Sequence, residues 1–230
     1  MNKLKLRILI YVMLMITLNV SAVMTSVNAD IITEEIVASE DANINQINSG
    51  VNYGSETLIR VELNQDEGFI FFDLSTIIDK NYTSAMLGIY VGESTLTHLN
   101  VYPVAQAWSE EIITWEVAPV VNNSISVTKT LSVRGGYHYI NVTSIVSNWT
   151  TGIIPNYGFN LKSSLNFIAF YSKEYSDESR HPILTFEIIE PSQNTSSSIP
   201  GFEIVIMVFG MIGVIFLIVK KKKRIKRKNC

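Results

Sequence analysis

The sequence predicts an all-β fold, an antiparallel β-sandwich with one short helix, followed by a C-terminal transmembrane helix. Two observations support the sandwich. Residues 30–190 contain short runs of branched and aromatic residues, separated by Gly, Asn, Asp and Ser clusters at the spacing typical of β-sandwiches. The same stretch has no long amphipathic helix and no alternation of strands with helices, which disfavours α/β enzyme folds.

The strand-like runs follow one another through the whole of this body. They cover residues 57–63, 69–72, 86–91, 99–104, 125–133, 137–142, 166–171 and 183–189. One stretch, residues 142–149, reads differently, because Ile145, Val146 and Trp149 fall on one face of a helix. We therefore expect one sandwich domain over residues 30–190, with a short helix between its later strands.

Charge is unevenly distributed along the 230 residues, although the formal net charge is only −3. Residues 30–201 hold 7 basic and 20 acidic residues, a net charge of −13, whereas residues 220–230 hold eight Lys and Arg and no acid. An acidic body between basic, apolar ends is typical of a membrane-anchored protein and disfavours a nucleic-acid partner. The single cysteine, Cys230, excludes an intrachain disulfide framework.

The N-terminal segment, residues 1–29, has the pattern of a secretory signal peptide. Three basic residues precede an apolar run from Ile8 to Leu18, which is short for a stable membrane span. Val27 and Ala29 then provide the small or branched residues that signal peptidases require. We expect cleavage after Ala29, with an uncleaved signal anchor as the alternative.

The C-terminal segment has the pattern of a membrane anchor. Residues 191–201 are a polar spacer, and residues 202–219 are apolar except for Glu203. A helix of that length spans roughly 27 Å, and the basic tail at 220–230 places the C-terminus in the cytoplasm by the positive-inside rule. Pro200-Gly201-Phe202 resembles the opening of archaeal C-terminal sorting signals, so either the helix or a lipid that replaces it would hold the protein at the cell surface.

The sequence contains no catalytic constellation. There is no Gly-x-Ser-x-Gly elbow, no phosphate-binding loop and no His-Glu-x-x-His, so we expect no enzyme and no cofactor. Glu110, Glu111 and Glu116 lie near two tryptophans, as in glycosidases, but spacing alone cannot set the required carboxylate separation. Metal ligands are left unknown, with calcium at Asp66-Glu67 or Asp177-Glu178 as an alternative that lacks EF-hand spacing.

Glycosylation is expected on the exterior body. Of the five Asn-x-Ser/Thr sequons outside the signal, three lie in loop-like stretches, at Asn81, Asn122 and Asn194. Those three are the candidate sites of a secreted glycoprotein.

Several segments together resemble the DNRLRE-type domain, also classed as carbohydrate-binding module family 96 and related to the disaggregatase repeat. The resemblance keeps order and spacing over about 150 residues and departs at Asn141, where the family more often has Asp. The matching segments are Asp41-Ala42-Asn43-Ile44, Asn52-Tyr53-Gly54-Ser55, Phe71-Phe72-Asp73-Leu74-Ser75, Trp108-Ser109-Glu110, Thr114-Trp115, Asn141-Val142-Thr143-Ser144-Ile145-Val146, Pro155-Asn156-Tyr157-Gly158 and Phe170-Tyr171-Ser172-Lys173-Glu174-Tyr175.

This resemblance implies a jelly-roll-like sandwich that binds polysaccharide, because aromatic rings stack on pyranoses while polar side chains bind hydroxyls. The candidate binding residues are Tyr53, Trp108, Tyr157 and Tyr175, whereas Trp115 and Trp149 are expected in the core. An exposed aromatic row would favour glycan binding. An exposed apolar strand edge would favour the alternative, a structural or adhesive surface domain, and a cleft with converging carboxylates would favour an enzyme.

Overall fold

The computed structural model describes residues 29–131 and 135–191, which form eleven strands and one α-helix. The helix is α1 (Thr143–Thr150), and a 3₁₀ turn covers Glu178–Arg180. The strands are β1 (Ala29–Val37), β2 (Glu40–Asn45), β3 (Leu58–Glu62), β4 (Asp66–Phe71), β5 (Tyr82–Ser94), β6 (Thr97–Pro103), β7 (Val127–Leu131), β8 (Tyr137–Asn141), β9 (Phe159–Ser163), β10 (Phe167–Tyr171) and β11 (Ile183–Pro191).

The strands form an antiparallel sheet that curls into a half-barrel. Their order is β1-β11-β5-β10-β3-β4-β9-β6-β7, with β2 paired to β4 and β8 paired to β5. The predicted antiparallel, mostly β fold with one short helix is therefore confirmed.

The long strand β5 explains why there is one curled sheet in place of the two separate sheets of the predicted sandwich. Residues up to Tyr90 pair with β8 and β11, and residues from Val91 onward pair with β10. A register shift in β10 between Ala169 and Phe170 accompanies this change of partner. Because β5 pairs with β8 and β11 along its first part and with β10 along its last part, all of these strands belong to one continuous hydrogen-bond network.

The main core gathers buried side chains from most of the strands and from α1. Helix α1 contributes Ile145, Val146 and Trp149, and the Trp149 ring lies 4.6 Å from that of Phe159. Both the predicted helix and the predicted core position of Trp149 are confirmed. The largest fully buried side chains in this cluster are Phe72, Phe159, Phe170 and Phe186.

A second, smaller apolar cluster lies where the long β6–β7 connection covers strands β2 and β4. Its buried members are Ala42, Ile44, Phe69, Val104 and Ile113. Half-buried aromatic residues pack against them, including two of the candidate binding residues.

The predicted signal peptide, membrane helix, basic tail and nearly all of the spacer lie outside the described residues, as does the sequon at Asn194. Within residues 29–131 and 135–191, no helix is long and apolar enough to cross a membrane.

Candidate functional site

Five tyrosines form a continuous row across β8, β5 and β10 and into the loop after β10. In order along the row they are Tyr139, Tyr137, Tyr90, Tyr171 and Tyr175. Successive ring centroids lie 5.7, 5.5, 5.6 and 3.8 Å apart, so each ring contacts the next. Tyr139 is 40% exposed and the other four are half-buried, so the row is accessible to solvent.

Strand alternation places this row, which we call the tyrosine row, on the face opposite the core. Ile89 and Val91 of β5 are fully buried in the main core, so Tyr90 between them points to the other face. The antiparallel register puts Tyr137 directly opposite Tyr90. Cross-strand aromatic pairs of this kind stabilise a sheet and also fix the two rings in place.

One glycine of β5, Gly88, makes room for the neighbouring Tyr139 ring. A Cβ on Gly88 would meet the Tyr139 ring at 3.0 Å, and a Cβ on Gly92 would lie 3.5 Å from the Tyr171 ring. Tyr139 and Tyr171 therefore lie close over backbone on either side of Tyr90. Gly88 therefore lets the Tyr139 ring lie against β5, whereas the 3.5 Å at Gly92 is an ordinary contact that a side-chain Cβ would also allow.

Arg180 supplies a cation to the row. Its guanidinium carbon lies 5.0, 5.6 and 5.8 Å from the ring centroids of Tyr90, Tyr171 and Tyr175. These distances are within the range of cation–π attraction. Asp177 pairs with the Arg180 guanidinium at 2.9 Å and so limits its orientation.

The 3₁₀ turn that carries Arg180 is tied to the row by hydrogen bonds. The Tyr137 hydroxyl lies 2.8 Å from the carbonyl oxygen of His181 and 3.1 Å from that of Ser179, and it donates to them. His181 Nε2 lies 2.7 Å from the carbonyl oxygen of Tyr175. The turn and the rings therefore form one assembled surface.

Two hydroxyls of the tyrosine row, those of Tyr137 and Tyr175, keep their protons across the physiological range. Burial, together with the nearby Tyr139 and Glu35, raises the pKa of Tyr137 to about 12. A hydrogen bond with Tyr171 raises the pKa of Tyr175. The row presents aromatic rings with hydroxyl groups, a surface suited to the apolar faces and hydroxyls of a sugar.

A charged cluster joins the Tyr175 loop to β2 and to the β6–β7 connection. The Lys173 backbone N–H donates to Asp41 Oδ2 at 2.8 Å, and the Asp41 N–H donates to Glu110 Oε2 at 3.1 Å. Lys173 Nζ pairs with Glu110 at 2.9 Å and also with Glu174. Three separate segments therefore meet at one lysine.

Burial and the neighbouring charges in this cluster raise the pKa values of Asp41 and Lys173. Burial raises the pKa of Asp41 to about 8, and the adjacent Glu174 carboxylate adds to the rise against the opposing Lys173 backbone bond. Burial disfavours the Lys173 ammonium, but Glu174 and Glu110 outweigh it and raise the pKa of Lys173. Asp41 is therefore protonated at neutral pH while Lys173 stays charged.

Two of the candidate binding residues, Trp108 and Tyr157, lie together in the smaller apolar cluster. The Trp108 ring packs 5.6 Å from Phe69, and its indole N–H donates to the Tyr157 carbonyl oxygen at 2.8 Å. Both residues are half-buried. Their contacts hold the β6–β7 connection to the sheet, and the structure leaves their role in ligand binding a prediction.

Tyr53 and Tyr157 each occupy the middle of an Asn-Tyr-Gly turn. In both turns the Asn side-chain oxygen accepts the Gly N–H two residues later. Gly158 has φ +83°, whereas Gly54 is required because a Cβ there would collide with the Glu110 carbonyl oxygen. Of the four candidate residues, Tyr175 is the one within the tyrosine row.

A polar cleft of about 390 Å³ lies at the β3–β4 turn, at some of the same acids that the sequence offers to calcium. Trp115 was expected in the core. It is half-buried, because it packs against the smaller apolar cluster and also forms part of the wall of the cleft, so the expectation is met only in part. The cleft is lined by Gln46, Glu62, Asn64, Gln65, Asp66, Glu67, Trp115, Lys162 and Ser163.

Most carboxylates near the cleft are already occupied. Asp66 accepts from the amides of Asn45 and Gln65, at 2.8 and 3.3 Å. Glu67 pairs with Lys162 at 2.9 Å and accepts from Asn160 at 3.1 Å. A glycosidase needs two carboxyl groups free to act on one bond, and this cleft offers only Glu62 in that state.

The other acids singled out in the sequence also have structural partners or stand apart. Glu110 belongs to the charged cluster, Glu116 accepts from the Ser49 hydroxyl at 2.8 Å, and Glu111 is exposed. Asp177 pairs with Arg180. In the part of the chain that the structure describes, no three His, Cys, Asp or Glu residues are grouped to hold a metal.

Four members of the row, and Arg180, are not among the binding residues predicted from the sequence. The sequence does contain one indication of the row. Tyr137 and Tyr139 are two residues apart and therefore lie on the same face of a strand, and Tyr90 lies between Gly88 and Gly92. Their assembly depends on pairings between β8, β5 and β10 that lie far apart in the chain, which one sequence does not reveal.

The described residues form an antiparallel half-barrel that carries a solvent-accessible aromatic row on the face opposite its core. The sequence model of carbohydrate-binding module family 96 matches residues 32–187, about two thirds of the chain, so the chain belongs to this family. Members of such families are carbohydrate-binding modules and typically non-catalytic. No curated protein matches the chain.

Proposed function

We propose that this chain is a non-catalytic, jelly-roll-like module that binds extracellular or sheath polysaccharide through the tyrosine row. The observation that carries this proposal is the unbroken contact of five tyrosines on the face opposite the core. A row of rings matches a chain of sugar units better than a closed pocket would, because each pyranose offers an apolar face to stack on a ring. Family membership supports a carbohydrate ligand independently of this geometry.

Arg180 and the ring hydroxyls complete the proposed site. Hydroxyl oxygens of the row accept from sugar hydroxyls, because the Tyr137 proton is already donated to the His181 carbonyl oxygen, and the Arg180 guanidinium adds a cation beside Tyr90, Tyr171 and Tyr175. The body carries a net charge of −13, so long-range repulsion opposes an acidic polysaccharide unless cations such as calcium bridge the two. We therefore expect that, when calcium is absent, neutral polysaccharides bind more tightly than acidic ones.

We also propose that the module is displayed on the cell surface. The support comes from the sequence: a signal-like N-terminus, a polar spacer, an apolar stretch at residues 202–219 and a basic tail. In this arrangement the helix, or a lipid that replaces it, anchors the protein, and the spacer holds the tyrosine row clear of the membrane.

The binding proposal is tested by affinity electrophoresis of the full chain in a detergent without a sugar headgroup. Gels contain neutral or acidic polysaccharides, with and without calcium. Tyr139→Ala, at the exposed end of the row, and Tyr90→Ala, at its centre, should each weaken retardation roughly tenfold, as loss of an aromatic contact with the ligand does. Tyr102→Ala is the matched control, because Tyr102 is a half-buried tyrosine on β6 outside the row. Absence of retardation on a broad glycan panel would contradict the proposal.

One observation favours the alternative of an adhesive domain with a protein ligand. Strand β1 stands at the edge of the sheet and exposes Ile31, Ile32 and Val37. Exposed apolar edges invite pairing with another strand. If this edge is the protein-binding interface, Ile32→Lys should abolish self-association of the full chain in analytical ultracentrifugation. Retardation by glycans should stay unchanged.

A further inference from the structure

The cleft at the β3–β4 turn combines one aromatic ring with polar groups that have no partner. Among the described residues, the side chains of Gln46 and Asn64 make no hydrogen bond, and the Trp115 indole N–H donates to none. Glu62 has only a distant ion pair, 3.9 Å from Arg60. The cleft therefore offers free donors and free acceptors around one ring, the chemistry that orients a sugar unit.

The walls of the cleft are held in place before any ligand arrives. Asp66 is 2% exposed and is fixed by Asn45, while Glu67 is fixed by Lys162. Asn64 adopts φ 57°, a left-handed conformation that Asn tolerates and that closes the turn. Binding there would not require ordering of Asp66 and Glu67, whereas the exposed side chains of Gln46 and Asn64 would be ordered by the ligand.

Size and charge narrow the class of ligand. A volume of about 390 Å³ is at the small end of the range for ligand sites, so the cleft fits a short ligand and not a long chain. Three of its lining residues are acids, Glu62, Asp66 and Glu67, against the single cation Lys162. An anionic sugar would therefore meet repulsion, while neutral and amino sugars would not.

We propose that this cleft is a second carbohydrate site, separate from the tyrosine row, that holds a pyranose unit without an acidic group. This inference rests on the proposed carbohydrate-binding function but on none of the residues of the row. Trp115 stacks against the ring of the sugar, Gln46 and Asn64 bind its hydroxyls, and Glu62 accepts from a hydroxyl or an ammonium group. Occupied together on one polysaccharide, two sites would raise avidity above that of either alone.

The test is ligand-observed saturation-transfer NMR on the full chain in a detergent without a sugar headgroup. The ligands are monosaccharides of the gluco, galacto and manno series, each in neutral, amino and uronate form. In at least one series, the neutral and amino forms should bind on the order of tenfold more tightly than the uronate. No binding of neutral or amino forms in any series, or equal binding of uronates, would overturn the proposal.

Variants distinguish sugar binding at this cleft from sugar binding at the tyrosine row. Gln46→Ala should weaken all bound forms alike, since Gln46 is exposed and holds nothing else in place. Glu62→Gln should raise uronate binding relative to the neutral sugar, a change that a purely structural role would not produce. Tyr139→Ala should leave these signals intact. If instead Tyr139→Ala removes them and the cleft variants do not, the cleft is not a site and the row alone binds sugar.

Discussion

Asn141 shows how a single side chain can hold the backbone just before a helix. Its side-chain oxygen accepts the Thr143 N–H at 3.1 Å and the Thr143 hydroxyl at 2.7 Å, just before α1 begins. An amide oxygen makes these bonds as well as a carboxylate does. The Asn141 side chain therefore closes an Asx turn in front of α1, whose N-cap is Val142, and these bonds do not depend on a charge.

Substitutions at Asn141 should separate the hydrogen bond from the charge. Asn141→Ala should lower the free energy of unfolding by about 1 kcal/mol, because it removes the two hydrogen bonds to Thr143. Asn141→Asp should keep these bonds and add about 0.3–1 kcal/mol at pH 7 through the helix dipole. Urea unfolding of unglycosylated protein measures both. A stabilising Asn141→Ala would contradict the stabilising role of this turn.

Residue identity in the site was only partly predictable from the sequence. Tyr175 could be singled out because it stands among turn residues, and Trp149 because its helical spacing places it in the core. Trp115 was assigned to the core, yet it both packs against the apolar cluster and lines a cleft. In the sequence, such a residue stands in the same apolar pattern as a core residue, so its second environment at the cleft is not visible.

At the scale of elements, apolar runs predicted strands well and polar strands poorly. The runs predicted from the sequence correspond to β3–β8, β10 and β11, whereas β1, β2 and β9 were missed. Strand β2 buries Asp41, Asn43 and Asn45, which no hydrophobic pattern anticipates. These polar residues are tolerated because partners from distant segments, such as Asp66 and Lys173, satisfy them.

The charged cluster at β2 predicts how stability depends on pH. The folded pKa of Asp41, about 8, lies above the ordinary value of 3.8 that applies in the unfolded chain. Between roughly pH 4 and pH 8 the folded state therefore holds a proton that the unfolded state has lost. The contribution of Asp41 is complete below pH 4 and is lost as the pH rises through 8, so stability should fall across this window.

Asp41→Asn should flatten this pH dependence, because an amide keeps the acceptor for the Lys173 N–H and never ionises. At pH 9 the variant should be at least about 1 kcal/mol more stable than the native chain, with little difference at pH 4. Thermal unfolding at both pH values measures the effect. Asp79→Asn, at an exposed aspartate without hydrogen bonds in the described chain, is the control. An unchanged slope in Asp41→Asn would show that Asp41 is not the responsible group.

At the scale of the whole molecule, the sequence predicted antiparallel β architecture but not how the layers are joined. The length of β5, which passes from one set of partners to another, turns two expected sheets into one curled sheet. That same passage brings β8 and β10 to the two ends of one strand. The tyrosine row exists because of it, since Tyr137 and Tyr171 both contact Tyr90.

The most direct test of the central claim is NMR of the full chain with ¹³C-labelled tyrosine rings, titrated with a polysaccharide that retards it in gels. The chain has ten tyrosines, so the row can be compared with internal controls. We predict shifts at Tyr90, Tyr137, Tyr139, Tyr171 and Tyr175, with Tyr82 and Tyr102 unchanged. Binding that leaves the five row resonances in place while other tyrosines move would contradict the assignment of polysaccharide binding to the tyrosine row.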